Sequence, residues 1–374
     1  MRVRRVRTLG FRNLADAEVE LGPGVTLASG PNGAGKTNLL EAIYLALAGR
    51  SPRTRNDREV IAFGQPLARV EADVEEDAGE GGDGERRTFL CAVERGGERR
   101  HTIDGHVPGP GADELRPPLS VFMPDRLVLV KGPPANRRAH LDRFCAALWP
   151  ARAGVRSRYA RALAQRNALI GRIRHGQADT GSLDAWEVEL GSAGVELMAL
   201  RTEVAEALAE PFTTAASALG LEGEVRLRYR PRSEAGSAGE LAEELASRRE
   251  SDLSRGFTTH GPHLDELAIE RSERALRRYG SQGEHRLGLL SLIFAEREVL
   301  LREGRPPPLL LLDDVTSELD PDRRRALCEL LVAGAGQALI TATESSQLPA
   351  ECPRRDLALR EGRVISAVEG AEAA

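Results

Sequence analysis

The chain has 374 residues, 41% hydrophobic and 29% charged, with a formal net charge of −5. That balance fits a soluble globular protein with a real core, spread over two or three domains or one large head with an insertion. It excludes a coat that is basic all over, and no run approaches the ~20 apolar residues of a membrane helix. The basic N-terminus MRVRRVRTLGFRNL has no apolar stretch, so no signal peptide is expected. Cys91, Cys145, Cys328 and Cys352 are scattered without CxxC spacing. Neither a zinc site nor a disulfide framework is expected, and a reducing cytoplasm is the natural setting. Residues 2–29 read as short strands, and 36–48 as a helix with apolar Leu39, Leu40, Ile43, Leu45 and Leu47. Residues 68–105 read as strands around a Gly/Asp/Glu-rich hairpin loop at 75–85. From about Ala135 to Gly220 the Ala/Arg/Leu/Glu-rich text predicts long helices, with a hairpin break near Gly176–Ser182. Val225–Tyr229 is strand-like, and from about Gly256 strand and helix alternate again.

Charge is unevenly placed. Lys36 and Lys131 are the only lysines among 52 basic residues. Residues 131–175 hold eleven Lys/Arg against the single acid Asp142, and residues 184–210 hold seven acids against one arginine. Two readings stay open: a basic duplex-binding surface using Lys131, Arg137, Arg138, Arg152, Arg156 and Arg158, or a hairpin in which the two stretches pair. Aromatic residues are only 4%, which argues against base stacking on single strands as the main contact.

Gly30-Pro31-Asn32-Gly33-Ala34-Gly35-Lys36-Thr37, followed by Asn38, fits G-x-x-x-x-G-K-[ST] in full between a strand and an amphipathic helix. Glycines let backbone N–H groups turn inward onto phosphate, and the helix N-terminus adds about half a positive charge. Lys36 is the candidate for β- and γ-phosphate, Thr37 for Mg²⁺. Leu309–Leu312 is a four-leucine run, as expected of a strand buried on both faces, and it ends on Asp313-Asp314. Asp313 is the candidate for the Mg²⁺ shell and Asp314 for positioning water or acting as its base; Lys36 counts with Asp314 as catalytic through its hold on the phosphates. Ser281-Gln282-Gly283-Glu284 opens a helix and reads either as a capping box or as a phosphate-binding end. Arg12 and Asn13 either flank a nucleotide base or form an ordinary strand-end turn. His260 and His263 read as structural.

These blocks together resemble the ABC-type ATPases of the SMC and DNA-repair class. The finer resemblance is to the RecF family of bacterial recombinational repair proteins. It is carried by LGFRNL at 9–14, GPNGAGKTNLLEAIY at 30–44, FMPDRLVLVKGPPANRRAHLD at 122–142, TTHGPH at 258–263, YGSQG at 279–283 and LLDDVTSELD at 311–320. The resemblance implies an α/β fold: a P-loop ATPase head, 1–125 with 250–374, carrying a β-subdomain and an inserted helical domain at 126–249. It implies ATP and Mg²⁺ as cofactors, weak ATPase activity, and a homodimer in the ATP state. There Ser281, Gln282 and Gly283 would act on the partner's nucleotide. It implies duplex DNA and gap junctions as targets, a RecR-like mediator as partner, and RecA indirectly.

There are departures. Leu264-Asp265-Glu266 stands where the family usually has Arg-Asp-Asp. Residues 121–131 show no glutamine; Asp125 and Lys131 occupy that region. The transporter signature is missing, and 340–343 offers hydroxyls where transporter ATPases carry a histidine, which speaks for slow turnover. The rival readings are the energy-coupling ATPase of a transporter and an ATP-dependent structural clamp without a DNA role.

Overall fold

A computed structural model describes residues 1–75, 85–109 and 116–369; most of the hairpin loop expected at 75–85 lies outside the described residues. In chain order the strands and helices are β1 (Arg2–Leu9), β2 (Ala17–Glu20), β3 (Val25–Ser29), α1 (Lys36–Ala48), β4 (Leu67–Glu75), β5 (Arg86–Glu94), β6 (Arg99–Ile103) and β7 (Leu119–Phe122). Next come α2 (Val128–Lys131), α3 (Pro134–Leu148), α4 (Gly154–Arg174), α5 (Asp184–Ala218), β8 (Val225–Arg230), α6 (Ala238–Ser247) and α7 (Arg249–Arg255). The chain continues with β9 (Glu266–Arg271), β10 (Arg274–Ala275), α8 (Leu276–Tyr279), α9 (Gln282–Arg302), β11 (Leu309–Leu312), α10 (Pro321–Ala333), β12 (Ala338–Ala342), β13 (Arg354–Arg360) and β14 (Arg363–Glu369).

The chain divides into two compact units, Met1–Arg126 with Leu300–Ala374, and Leu127–Val299. The segment 250–299, grouped with the head on sequence, therefore lies in the second unit.

The first unit holds two sheets. One is antiparallel, ordered β2-β1-β4-β5-β6. The other is ordered β14-β13-β3-β12-β11-β7; its strands run parallel except β14, which turns back on β13. In β1, Val3 and Val6 are three residues apart, which strict alternation would place on opposite faces. A register shift between Val3 and Arg5 puts both inward, because a bulge inserts one unpaired residue. Helix α1 is buried at every position from Leu39 to Leu47, since it packs against both sheets; a helix apolar on all sides needs cover on all sides. The leucines of β11 are all buried, with β7 and β12 as parallel neighbours. Gln337 ties the sheets together: its side chain bonds both backbone groups of Val3 at 2.9 and 2.8 Å and the Gly22 carbonyl at 2.6 Å.

The second unit is helical around a small sheet ordered β10-β9-β8. Helices α4 and α5 form the expected hairpin. Residues 238–255, for which the sequence suggested no element, form α6 and α7. Ser237 caps α6 by accepting the Glu240 N–H. Cys328 of α10 is disulfide-bonded to Cys352, a pairing that the scattered spacing did not predict. Among the described residues, no helix is long and apolar enough to cross a membrane.

Candidate functional site

Strand β3 ends at Ser29, and the chain turns through Gly30–Gly35 into α1. A Cβ at Gly30 would lie 2.1 Å from the Leu359 carbonyl oxygen, so only glycine lets the turn sit against β13. Gly35 takes φ 101 at the helix N-cap, in the left-handed region that side chains disfavour. Lys36 Nζ donates to the carbonyls of Gly30 and Pro31 at 2.6 and 3.0 Å. Burial pulls its pKa below the ordinary lysine value, although the carboxylates of Asp314 and Asp313 oppose that shift.

Parallel pairing brings the C-terminal ends of β3, β11 and β12 side by side. Thr37 Oγ1 donates to the Asp313 carboxylate, 2.9 Å from Oδ1 and 3.1 Å from Oδ2. Asp314 follows with φ 48, left-handed for a non-glycine residue, and its N–H donates to Thr341 Oγ1 at 2.9 Å. The loop, both acids and Thr341 line one cleft of about 310 Å³. A larger cleft, about 650 Å³, lies along the antiparallel sheet, but its Arg5 and Arg7 are already paired with Asp73 and Glu71.

Asn13 borders the first cleft. Its Nδ2 donates to the Gly33 carbonyl at 2.7 Å, and its Oδ1 accepts from Asn38 Nδ2 at 2.6 Å. Arg12 is engaged elsewhere: it grips the buried Glu41 of α1 through Nε and Nη2 at 3.1 and 2.8 Å. Ser51 and Arg53 complete the shell of Glu41 at 2.6 and 2.9 Å, and Arg53 also reaches Asn38. Burial pushes the Glu41 carboxyl up, but Arg12, Ser51 and Arg53 outweigh it and hold it below the usual carboxylate range.

The profile of the RecF/RecN/SMC N terminal domain matches residues 2–352. The DNA replication and repair protein RecF of Anaeromyxobacter sp. (strain Fw109-5) is 39% identical over 369 residues, covering 95% of this chain and 96% of the relative. The chain belongs to the RecF family. RecF of Streptomyces avermitilis is 37% identical over 380 residues, covering 97% and 99%. The solved structure of the recombination mediator protein RecF-ATP in the RecFOR pathway superposes with TM-score 0.79 at 25% identity, covering 98% of this chain and 97% of that one. The fold is thus the mixed α/β ABC/SMC-type head of RecF structures. Membership in the RecF family also removes the transporter reading.

The second unit of this RecF-family chain holds the remaining expected residues. Ser281 and Glu284 form a reciprocal capping box: Ser281 N–H donates to Glu284 Oε2 at 2.7 Å, and Glu284 N–H to Ser281 Oγ at 3.2 Å. Ser281 and Gln282 are exposed and Gly283 is half-buried. In the basic stretch Lys131 is exposed. Arg137 is not a surface group: it is buried, paired with Glu266 at 2.8 Å, and bonded to three carbonyls around α2. Arg138 donates to the Asp265 carbonyl at 2.7 Å. Arg152 pairs with Glu203, Arg156 with Asp142 and Arg158 with Glu196, at side-chain exposures of 37, 59 and 45%. His260 bonds Glu244 and His263 lies between Tyr159 and the Thr258 carbonyl, structural placements for both. Among the described residues, no group of three or more His, Cys, Asp or Glu side chains gathers to hold a metal.

Sequence reading missed Glu41, Arg53 and Thr341. A carboxylate inside the apolar run of α1 was the visible signal for Glu41, because a buried charge demands partners.

Proposed function

We propose that this chain binds Mg-ATP in the Lys36 cleft, hydrolyses it slowly, and in its ATP state dimerises to clamp duplex DNA near single-strand gaps. There it assists RecA loading together with a RecR-like mediator in the cytoplasm. On this reading 1–125 with 250–374 serves functionally as the ATPase head, although 250–299 packs within the second unit, and 126–249 as the helical arm. The observation that carries it is the Thr37–Asp313 hydrogen bond beside the Lys36 ammonium. Donors for an anion and acceptors for a cation meet at the ends of adjacent parallel strands, as a metal–polyphosphate requires.

The residues fit that group. The Gly30–Gly35 turn and the N-terminus of α1 offer backbone N–H groups, and Lys36 would exchange its carbonyl partners for β- and γ-phosphate oxygens. Thr37, whose proton is committed to Asp313, keeps oxygen lone pairs for the cation. When bound, ATP would supply the phosphoanhydride bond to be broken and Mg²⁺ the positive charge that offsets its phosphate oxygens. As the water oxygen bonds to the γ-phosphorus and the bond to ADP breaks, the Asp314 carboxylate would take the water's proton. Asn13 borders the nucleotide through Gly33. Ser281 Oγ and the Gln282 and Gly283 N–H groups of a second copy would add donors at the γ-phosphate, so that nucleotide joins the two copies. Lys131 would contact DNA phosphates, and so would Arg152, Arg156 and Arg158 on exchanging their carboxylate partners.

Fluorescence anisotropy of a labelled gapped duplex at ~150 mM salt, with and without Mg-ATP, tests this reading. Binding that depends on Mg-ATP is expected. Equal binding in both conditions would reduce the basic stretch to an unswitched patch, and none in either would favour a structural clamp without a DNA role.

A further inference from the structure

The end of β12 carries hydroxyls beside the two acids, and one of them is placed to do two things at once. Thr341 is fully buried. Its hydroxyl donates to Asp313 Oδ1 at 2.7 Å and accepts the Asp314 N–H at 2.9 Å. One proton and two lone pairs allow both bonds together, which no aliphatic side chain of that size can do. Asp313 is thereby held from two sides, by Thr37 of α1 and by Thr341 of β12. The second bond falls where the backbone most needs it, since Asp314 takes a left-handed φ of 48 that a non-glycine residue keeps only when its surroundings hold it there.

A neighbouring set of bonds braces the same corner. Gln347 Oε1 accepts from Thr316 Oγ1 and from the Thr343 N–H, both at 3.2 Å, while its Nε2 donates to Thr343 Oγ1 at 2.9 Å. Thr316 belongs to the turn that follows Asp314, so that turn is fastened to the end of β12 at two points. Of the two, only Thr341 touches the acids.

We infer that Thr341 is a positioning residue of the site: its hydroxyl orients the Asp313 carboxylate toward the cation and locks the turn that aims Asp314. The inference rests on the Mg-ATP reading of the cleft. Thr341 acts through Asp313 and Asp314, so its loss falls on the metal-dependent part of nucleotide binding and spares the phosphate loop.

The test is calorimetric titration of the full chain with ATP, once with Mg²⁺ and once with EDTA, for wild type, Thr341→Val and Thr341→Ser. Thr341→Val is expected to weaken Mg-ATP binding about tenfold or more, the scale of one hydrogen bond to a charged group, while metal-free binding stays as in wild type. Thr341→Ser keeps the hydroxyl and restores the Mg²⁺ effect. Wild-type affinity of Thr341→Val for Mg-ATP overturns the inference, and so does an equal loss with and without metal, which marks a general scaffold role. If wild type itself binds alike in Mg²⁺ and EDTA, the Mg-ATP reading fails and the inference with it. If Thr341→Val does not fold, Thr341→Cys replaces it, since sulfur for oxygen weakens both bonds at nearly unchanged shape relative to Thr341→Ser.

Discussion

Asp142, the only acid between residues 131 and 175, grips Arg201, the only arginine between 184 and 210. The pair is bidentate, 2.8 and 3.0 Å, and both side chains are buried. Each stretch therefore sends its one opposite charge inward and turns most of its bulk charge elsewhere. Removing either partner strands buried charge, and Arg201 also holds the buried Asp265 at 2.8 Å. Asp142→Ala is expected to lose about 3–5 kcal/mol in urea unfolding. Asp142→Leu with Arg201→Met is expected to recover little of that, because Asp265 then loses its counter-charge. A double variant close to wild type would show that Asp265 is satisfied without Arg201.

Glu41 poses the same problem in the first unit, with two guanidinium groups and one hydroxyl around a single carboxylate. Glu41→Ala leaves Arg12 and Arg53 without their counter-charge and is expected to cost about 3 kcal/mol. Because Arg53 also holds Asn38, and Asn38 holds Asn13, the change should weaken nucleotide binding too. Differential scanning of the variant with and without ATP separates the two effects. An unchanged ligand-induced shift would confine Glu41 to stability.

Burial pushes the His263 imidazole below its ordinary value, and Arg138 adds to that shift; the hydrogen bond to the Thr258 carbonyl, Asp265 and Asp252 oppose it. His101 is lowered in the same direction, again mainly by burial. A lowered folded pKa means that the unfolded chain takes up protons first as pH drops. Stability from these two rings is complete above the ordinary imidazole pKa near 6.5 and is lost below it. Urea midpoints should therefore fall between pH 7.5 and 5.5, and His263→Gln should flatten that slope. An identical slope in the variant would assign the pH dependence to other groups.

Burial raises the thiols of Cys91 and Cys145 to about 12, so neither is a reactive thiolate at neutral pH. With Cys328 and Cys352 bonded, denatured protein without reductant should titrate two thiols, and reduced protein four. The cross-link spans 24 residues, and its reduction should lower stability by about 3 kcal/mol in the loop-entropy account. Four thiols without reductant would show that the bond does not form in solution.

The basic stretch can be tested without setting like charges against each other. Replacing Arg152, Arg156 and Arg158 by glutamine together is expected to lower duplex affinity and to reduce the salt slope by about three, one per lost phosphate contact. Unchanged affinity and slope would leave these arginines as partners of Glu203, Asp142 and Glu196 only.

The parts of the site legible from sequence are those whose chemistry is local. Gly30–Thr37 declares itself because loop, lysine and helix start are contiguous, and Asp313-Asp314 because four leucines mark a doubly buried strand ending there. Thr341 was not legible as a partner of the acids: it lies 28 residues beyond Asp313, and a threonine in an apolar strand is ordinary. Glu41 was visible as a polar residue in an apolar helix, but its partners stand 29 and 12 residues away. In the fold, the β1 bulge explains the odd spacing of Val3 and Val6, which alternation alone could not place. Helices α6 and α7 were hidden because glycine and serine there supply caps and turns as readily as helix. Charge statistics could not tell the buried Arg137 from the exposed Arg156, since burial depends on what the rest of the chain brings near.

Strand β3 is made within the first thirty residues, yet its two sheet neighbours are β12 and β13, residues 338–342 and 354–360. During synthesis the phosphate loop therefore emerges from the ribosome some three hundred residues before the strands that flank it. Strand β3 must wait without its sheet neighbours while the whole second unit is translated, although α1 already has β4 and β5 to pack against. Loop closure over that span is slow, and waiting apolar segments are open to wrong partners. The cleft is consequently among the last features of the newborn chain to assemble, and a transcript truncated before residue 338 yields a protein with its phosphate-loop text intact and no pocket to show for it.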